Sequence, residues 1–388
     1  MLSHEKLNWF REHLINEILP RWLAHSRTEN GLFFTNLGRK WERLQRDDCS
    51  LVSQTRLLYN FSVGYQLTGQ AEYLEAVNDG ANALLRYFRD SEHGGWWWSC
   101  DMKGETLDPH KDLYGHAFAI LCLTHAATAT DREDLKRAAM NTWEVVDSHF
   151  RDASGGFVWR LTPDFSSMSD TRSQNPVMHL FEALFVLHTI DDSGRIRRAG
   201  QEVAEFVLDR LIRKGDGILP EMYSEDWGEL SEEDNGRIDV GHQFEWAYLL
   251  SRAAEAGWSQ DYLKPAQKLL ENGLALGFDE TDGGIMSPAA PDGTIRKPIK
   301  GWWEQCEAIR ALLHFGVVRQ YEEAWKPLEK VIAFAQEHFV DEEHGGWFMS
   351  PSIAAGEDRI SLNKGSGWKA DYHVVSMCAE AIRLEKSG

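Results

Sequence analysis

Apolar residues along this chain recur at the spacing of one helix face, in paired runs joined by short polar turns. Tyr73, Val77, Ala81, Leu84, Leu85 and Phe88 form one such stripe, which predicts an amphipathic helix. Leu57, Leu58, Phe61 and Tyr65 mark the helix before it, with Gly69 in the turn between. The pairing recurs over 113–128 with 132–150, 175–190 with 196–213, 240–257 with 260–277, and 303–316 with 321–339. A helix near 4–25 opens the chain and one near 371–385 closes it, which completes twelve.

A glycine followed by apolar residues precedes the paired runs at near-even spacing: Gly31, Gly95, Gly156, Gly217, Gly284 and Gly346. A fixed period of this length means that one supersecondary unit is repeated. Six helical pairs can close into a ring, an all-α barrel with its six long loops at one end. No Pro/Gly/Ser-rich linker interrupts the period, so residues 1–388 are expected to form a single domain. The loops are long enough to hold short β-hairpins. Two are expected, in GGWWWSCDMKGETL with a turn at Lys103-Gly104 and in GGIMSPAAPDGTIRK with a turn at Asp292-Gly293.

Composition narrows the partners. Sixty-one acidic against 41 basic side chains leave a net charge of −20, which disfavours nucleic acid and anionic membranes. No apolar run reaches the ~18 residues of a membrane span. The opening MLSHEKLNWF lacks the charged-then-apolar pattern of a leader, so cytoplasm is the expected location. Cys49, Cys100, Cys122, Cys306 and Cys378 fall in no CxxC spacing and imply neither a zinc site nor a disulfide framework. Sixteen tryptophans are unusual, and Trp96, Trp97, Trp98, Trp302, Trp303, Trp347 and Trp368 cluster near the loops. They serve either as core or as flat apolar faces for sugar rings.

Where each loop meets the first helix of its pair, a polar or ionisable residue stands at nearly the same phase. These are Arg56, Tyr114 with His116, His179, His242, Trp303 with Glu307, and His373. A lone histidine at a helix start is usually structural; three in register across separate repeats are not easily so explained. Closure of the ring would gather them at one mouth as a small-molecule site. His179 and His242 each have a glutamate three residues on, Glu182 and Glu245, which can orient an imidazole or simply pair within the helix.

Imidazoles titrate near neutral pH and suit proton abstraction beside a carbonyl. The C2 proton of an open-chain aldose is such a proton. One histidine can take it and another return it to the opposite face, or one can carry it to C1 through a cis-enediol. Charge builds on O1 or O2 in either path, and Arg56 is placed to stabilise it. Neither path needs a cofactor, and no nucleotide, HExxH or Gly-x-Ser-x-Gly motif is present. No metal is expected, although His and Glu on facing helices can bind one. A glycoside hydrolase on the same barrel would need paired carboxylates, drawn from Glu221, Asp239, Glu245 and Glu307, and would leave the histidines without a role.

Five segments carry a resemblance that covers essentially the whole chain: SQTR ending at Arg56, NPVMHLFEA around His179, VGHQFEW around His242, WWEQCEA around Trp303 and Glu307, and GWKADYH ending at His373. In this order they resemble the N-acylglucosamine 2-epimerase superfamily, which includes cellobiose 2-epimerases and mannose isomerases. The resemblance implies an (α/α)6 barrel with His242 and His373 as the acid/base pair. It implies sugar-binding or orienting roles for Arg56, Tyr114, Asn175, His179, Glu245, Trp303 and Glu307, beside the Glu182 read from spacing. Motif by motif it looks nearest to the mannose isomerase branch. The expected activity is therefore interconversion of unphosphorylated mannose and fructose, by a monomer or homodimer without cofactor. Sugar 2-epimerisation stands as the alternative.

Overall fold

Burial separates the helices into two kinds. In Leu113–Thr130 every residue from Leu113 to Thr124 is buried, whereas Glu133–His149 buries one stripe: Leu135, Ala139, Thr142, Trp143 and Val146. A helix buried all round must lie inside, and a striped one must lie against it with a wet face outward. The structure, a computed structural model, describes residues 4–191, 193–350 and 360–386. Helix α1 comprises His4–Glu12, a π-helical His13–Ile18 and Leu19–Ser26. It is followed by α2 (Leu51–Thr68), α3 (Ala71–Tyr87), α4 (Leu113–Thr130), α5 (Glu133–His149) and α6 (Gln174–Leu187). Then come α7 (Arg195–Phe206), α8 (Val240–Glu255), α9 (Leu263–Gly277), α10 (Trp302–Val318), α11 (Trp325–His338) and α12 (Tyr372–Glu385).

Even-numbered helices form the inner ring. Each packs on the next, and α12 returns to α2. From α3 onward every odd-numbered helix packs on the inner helix before it, α3 also reaching α4, and α1 packs on α12, so the two chain ends close the ring. Arg11 on α1 reaches Glu385 on α12 at 2.6 Å. The result is the expected (α/α)6 barrel of twelve helices among the described residues, none long and apolar enough to cross a membrane.

Three of the loop strands lead directly into inner helices. Strands β1 (Asp48–Ser50), β2 (Ser99–Asp101) and β3 (Thr106–Asp108) form one antiparallel sheet, and β2 with β3 is the hairpin expected around Lys103-Gly104. Strand β4 (Lys111–Asp112) pairs with β5 (Arg160–Leu161), and β6 (Thr171–Ser173) with β7 (Met222–Ser224). Ser50, Asp112 and Ser173 end β1, β4 and β6, and their side chains cap α2, α4 and α6 through the N–H groups of Ser53, Tyr114 and Asn175. Each sheet thus fixes where an inner helix begins. The second expected hairpin is corrected. Asp292-Gly293 does turn the chain, with Ala290 accepting from Gly293, but Ala289 bridges Ile238 instead of a neighbouring hairpin arm.

The Gly-Gly repeats have a structural cause that the period alone did not reveal. Both glycines of each pair sit at positive φ, from 70° to 95°, where a Cβ is strained. An aspartate precedes each pair and holds the turn: Asp90, Asp152, Asp279 and Asp341 accept backbone N–H groups within it. Each also meets a buried cation just before the next inner helix, Lys111 at 2.6 Å, Arg172 at 2.5 Å, Lys300 at 2.7 Å and Lys364 at 2.7 Å. These pairs clamp every such turn to the helix start beside it. Removing one partner strands a charge in the interior, which costs about 3–5 kcal/mol. Lys111→Met is accordingly expected to lower unfolding free energy by about that amount in a denaturant titration; a loss under 1 kcal/mol would show the clamp to be idle.

Candidate active site

Six inner helices start at the same end of the barrel, and their first two turns line a cavity of about 290 Å³. That volume lies just below the range usual for small-molecule sites, about 300–1,000 Å³. Arg56 (α2), Tyr114 (α4), Asn175 and His179 (α6), His242 (α8), Trp303 (α10) and His373 (α12) all line it. Glu182, Glu245 and Glu307 do not reach it; they are buried beneath its floor. His116 is corrected to a structural role. Its Nδ1 meets the Asp112 carbonyl at 2.8 Å and its Nε2 accepts the Trp96 N–H at 3.1 Å, so both ring nitrogens serve the loop. The loop tryptophans divide. Trp302, Trp303 and Trp368 face the cavity, whereas Trp96 and Trp347 are core and donate to Thr142 and His13.

His242 and His373 converge on one indole. Their ring centroids lie 4.8 and 5.8 Å from that of Trp303. Each Nδ1 is held by a carboxylate, Glu221 at 2.7 Å and Glu307 at 2.7 Å. That leaves each Nε2 for the cavity. The spacing argument for Glu245 fails here. Although three residues after His242, it makes no hydrogen bond to it, and Nδ1 of His242 takes Glu221 from the loop before β7 instead. The reason lies in a relay behind the ring. Trp246 Nε1, which can only donate, fixes the Gln174 carbonyl at 2.7 Å, so the Gln174 amide donates to Glu221 at 2.6 Å. Glu221 must then accept from His242. Glu182 does orient its histidine, with Oε2 3.1 Å from His179 Nδ1.

The two imidazoles differ in charge. Burial opposes a proton on His242, but Glu221, aided by Asp239 and Glu304, outweighs it and raises the pKa above the usual value. His373 goes the other way. Burial, then the charges of Arg56 and His179, pushes it well below the ordinary range despite the Glu307 contact. The surroundings of His242 thus favour its protonated form, whereas those of His373 favour the neutral ring with Nδ1–H donated to Glu307.

Arg310, absent from the sequence reading, supplies the cation under the floor. It stands 3.5 Å from Glu182 and 3.4 Å from Glu307, with its guanidinium 4.0 Å from the Tyr248 ring centroid. Three His/carboxylate groups bring potential metal-ligand atoms within 4.8 Å: His179, Glu182 and Glu245; Glu221, Asp239 and His242; and Glu245, Glu307 and His373. Each histidine already has Nδ1 on a carboxylate, and Arg310 balances charge in two of the groups. Glu245 accepts no hydrogen bond, and burial followed by the Glu307 and Glu182 charges raises it well above the carboxylate range.

Arg56 donates to Tyr114 Oη at 2.6 Å and to the Trp368 carbonyl, which ties α2 to the segment before α12. Its Nε has no hydrogen-bond partner, and neither has Asn175 Oδ1; both atoms are buried. Lys369, the other cation of the lining, is spent on Asp371 and the carbonyls of Trp347 and Lys364.

The arrangement has known counterparts. The sequence profile described as N-acylglucosamine 2-epimerase (GlcNAc 2-epimerase) matches residues 31–377. The chain is 26% identical to the cellobiose 2-epimerase of Bacteroides fragilis, over 96% of this chain and 97% of that one. It is 27% identical to the D-mannose isomerase of Marinomonas mediterranea, over 86% of each. A crystal structure of D-mannose isomerase superimposes with TM-score 0.91 over 99% of both chains at 24% identity, which shows the shared fold. With the profile matching from the first glycine marker into α12, the chain belongs to the N-acylglucosamine 2-epimerase family and is an enzyme of the isomerase class.

Proposed function

We propose that this protein, acting as one barrel over residues 1–388, is a cofactor-independent sugar 2-epimerase with His242 and His373 as its acid/base pair. Its substrate is an unphosphorylated hexose, or the reducing-end hexose of a disaccharide. The observation that carries this reading is the meeting of two imidazoles at one indole, each with Nδ1 on its own carboxylate; their surroundings favour the protonated ring at His242 and the neutral one at His373. Two-base epimerisation needs a base on one face of C2 and an acid on the other.

Neutral His373 takes the C2 proton on Nε2, and the C–H electron pair closes the C1=C2 bond while the carbonyl pair moves to O1. Arg56 faces the resulting enediolate charge, with Tyr114 holding the guanidinium. His242 returns its proton to the opposite face of C2, and the C1 carbonyl re-forms. The other epimer runs the steps in reverse. His179, Asn175 and Trp303 serve the hydroxyls and the apolar ring face, while Glu307 and Glu182 orient their histidines. The free cations of the lining are too few for a phosphate ester, since Lys369 is neutralised by Asp371.

Mannose–fructose isomerisation, placed first by the motifs, is the second reading; the D-mannose isomerase relative favours it. The two paths share the enediolate and differ in whether C2 or C1 receives the proton. Chromatography of products from mannose, glucose and cellobiose separates them. A 2-epimer with little ketose is expected; ketose as the main product would establish the isomerase, and cleavage of cellobiose would overturn both.

A further inference from the structure

Beside the four carboxylates already placed under the histidines stands another that the mechanism has not used. Glu304, in the first turn of α10, is 7% exposed, and its Oε2 is sealed from solvent with no hydrogen-bond partner. Two glycines make room for it. A Cβ at Gly241 would stand 3.0 Å from Glu304 Cγ and collide with Trp303, and a Cβ at Gly301 would collide with the Glu304 carboxyl. Gly241 is the residue immediately before His242. The Glu304 side chain therefore packs on the peptide that carries one of the two imidazoles.

We propose that Glu304 is a positioning residue for His242, a buried carboxyl that packs against the start of α8 and governs how long His242 keeps its proton as the solution becomes alkaline. It rests on the reading of His242 as proton donor. The charges facing this corner are few: Glu221 on His242 Nδ1, Asp239 at the N-cap of α8 with Arg237 paired to it, and the N–H end of α10 itself. Burial, together with Asp239, raises Glu304 to about 8, against its own backbone N–H and His242. Near pH 7 the group is thus a neutral acid. Above pH 8 it ionises, and the new negative charge favours the protonated form of His242. The donor stays charged to a higher pH than Glu221 and Asp239 alone would allow. An orphan acid that no packing requirement explains gains a role in the alkaline range.

The test is Glu304→Gln, which keeps shape and removes the ionisation. Two readouts are needed: the pH profile of kcat/KM with the sugar substrate, and the ring-nitrogen NMR titration of His242 in enzyme labelled at histidine. His242 is expected to lose its proton about one pH unit earlier in the variant, and the alkaline limb to move down with it, while the acid limb stays. A His242 titration identical to the wild type overturns the proposal, whatever the rates do. A shifted titration with an unmoved rate profile upholds the Glu304–His242 link and overturns His242 as the donor. Should the variant fold poorly, infrared difference spectra of the wild-type enzyme between pH 7 and 9 decide the point. Loss of a protonated carboxyl band over that range supports the assignment, and no such loss overturns it.

Discussion

His373→Asn is expected to reduce kcat by about 10²–10⁴-fold, the usual contribution of a positioned acid or base. Asparagine keeps an N–H for Glu307, which otherwise loses a 2.7 Å partner in a fully buried site, but it has no lone pair that takes a proton at neutral pH. The far-UV circular dichroism spectrum should therefore match the wild type while turnover collapses. KM should change little, because Arg56, Asn175, His179 and Trp303 remain around the ligand. His242→Asn should behave alike. Near-normal turnover in either variant would remove that histidine from the chemistry.

Arg310→Met should act through the fold first. The guanidinium lies between Glu182 and Glu307 in a floor that water does not reach, so its removal leaves two carboxylates facing each other across a low-dielectric gap. Loss of the resident partner from a buried ion network costs about 3–5 kcal/mol, read as a fall in the unfolding midpoint in denaturant. One carboxyl is then expected to take up a proton. If it is Glu307, His373 loses the acceptor that fixes its tautomer, and activity falls along with stability. Arg310→Lys restores charge without the two-pronged reach, and should recover part of the stability and little of the rate. An Arg310→Met protein as stable as wild type would show that the floor carboxylates are neutral in pairs without it.

The barrel was legible because its outer helices carry a single apolar stripe and its inner ones nearly none that is wet. Those two signatures, alternating at a fixed period, leave little choice but a ring of pairs. The cavity-lining residues were legible by registry, since Arg56, Tyr114, His179, His242, Trp303 and His373 stand at equivalent helix starts. What lay behind them was not. Glu221 comes from the loop before β7 and reaches His242 across 21 residues, so helical spacing offered Glu245 in its place. Arg310 sits in an inner-helix run whose one long cation looks like an exposed face until the ring is closed. The aspartate clamps did leave a signal: Asp90, Asp279 and Asp341 stand five residues before Gly95, Gly284 and Gly346, and Asp152 four before Gly156. Its meaning depended on the lysine or arginine some twenty residues later, a pairing that sequence periodicity does not register.

The most direct test follows the proton. Incubation with mannose or glucose in heavy water, read by proton NMR and mass spectrometry, should place one deuterium at C2 of the epimer, because a proton on His242 exchanges with solvent before it is delivered. Product epimer that keeps its original hydrogen at C2, or sugar that neither exchanges nor changes configuration, would contradict removal of the C2 proton by one imidazole and its replacement by the other.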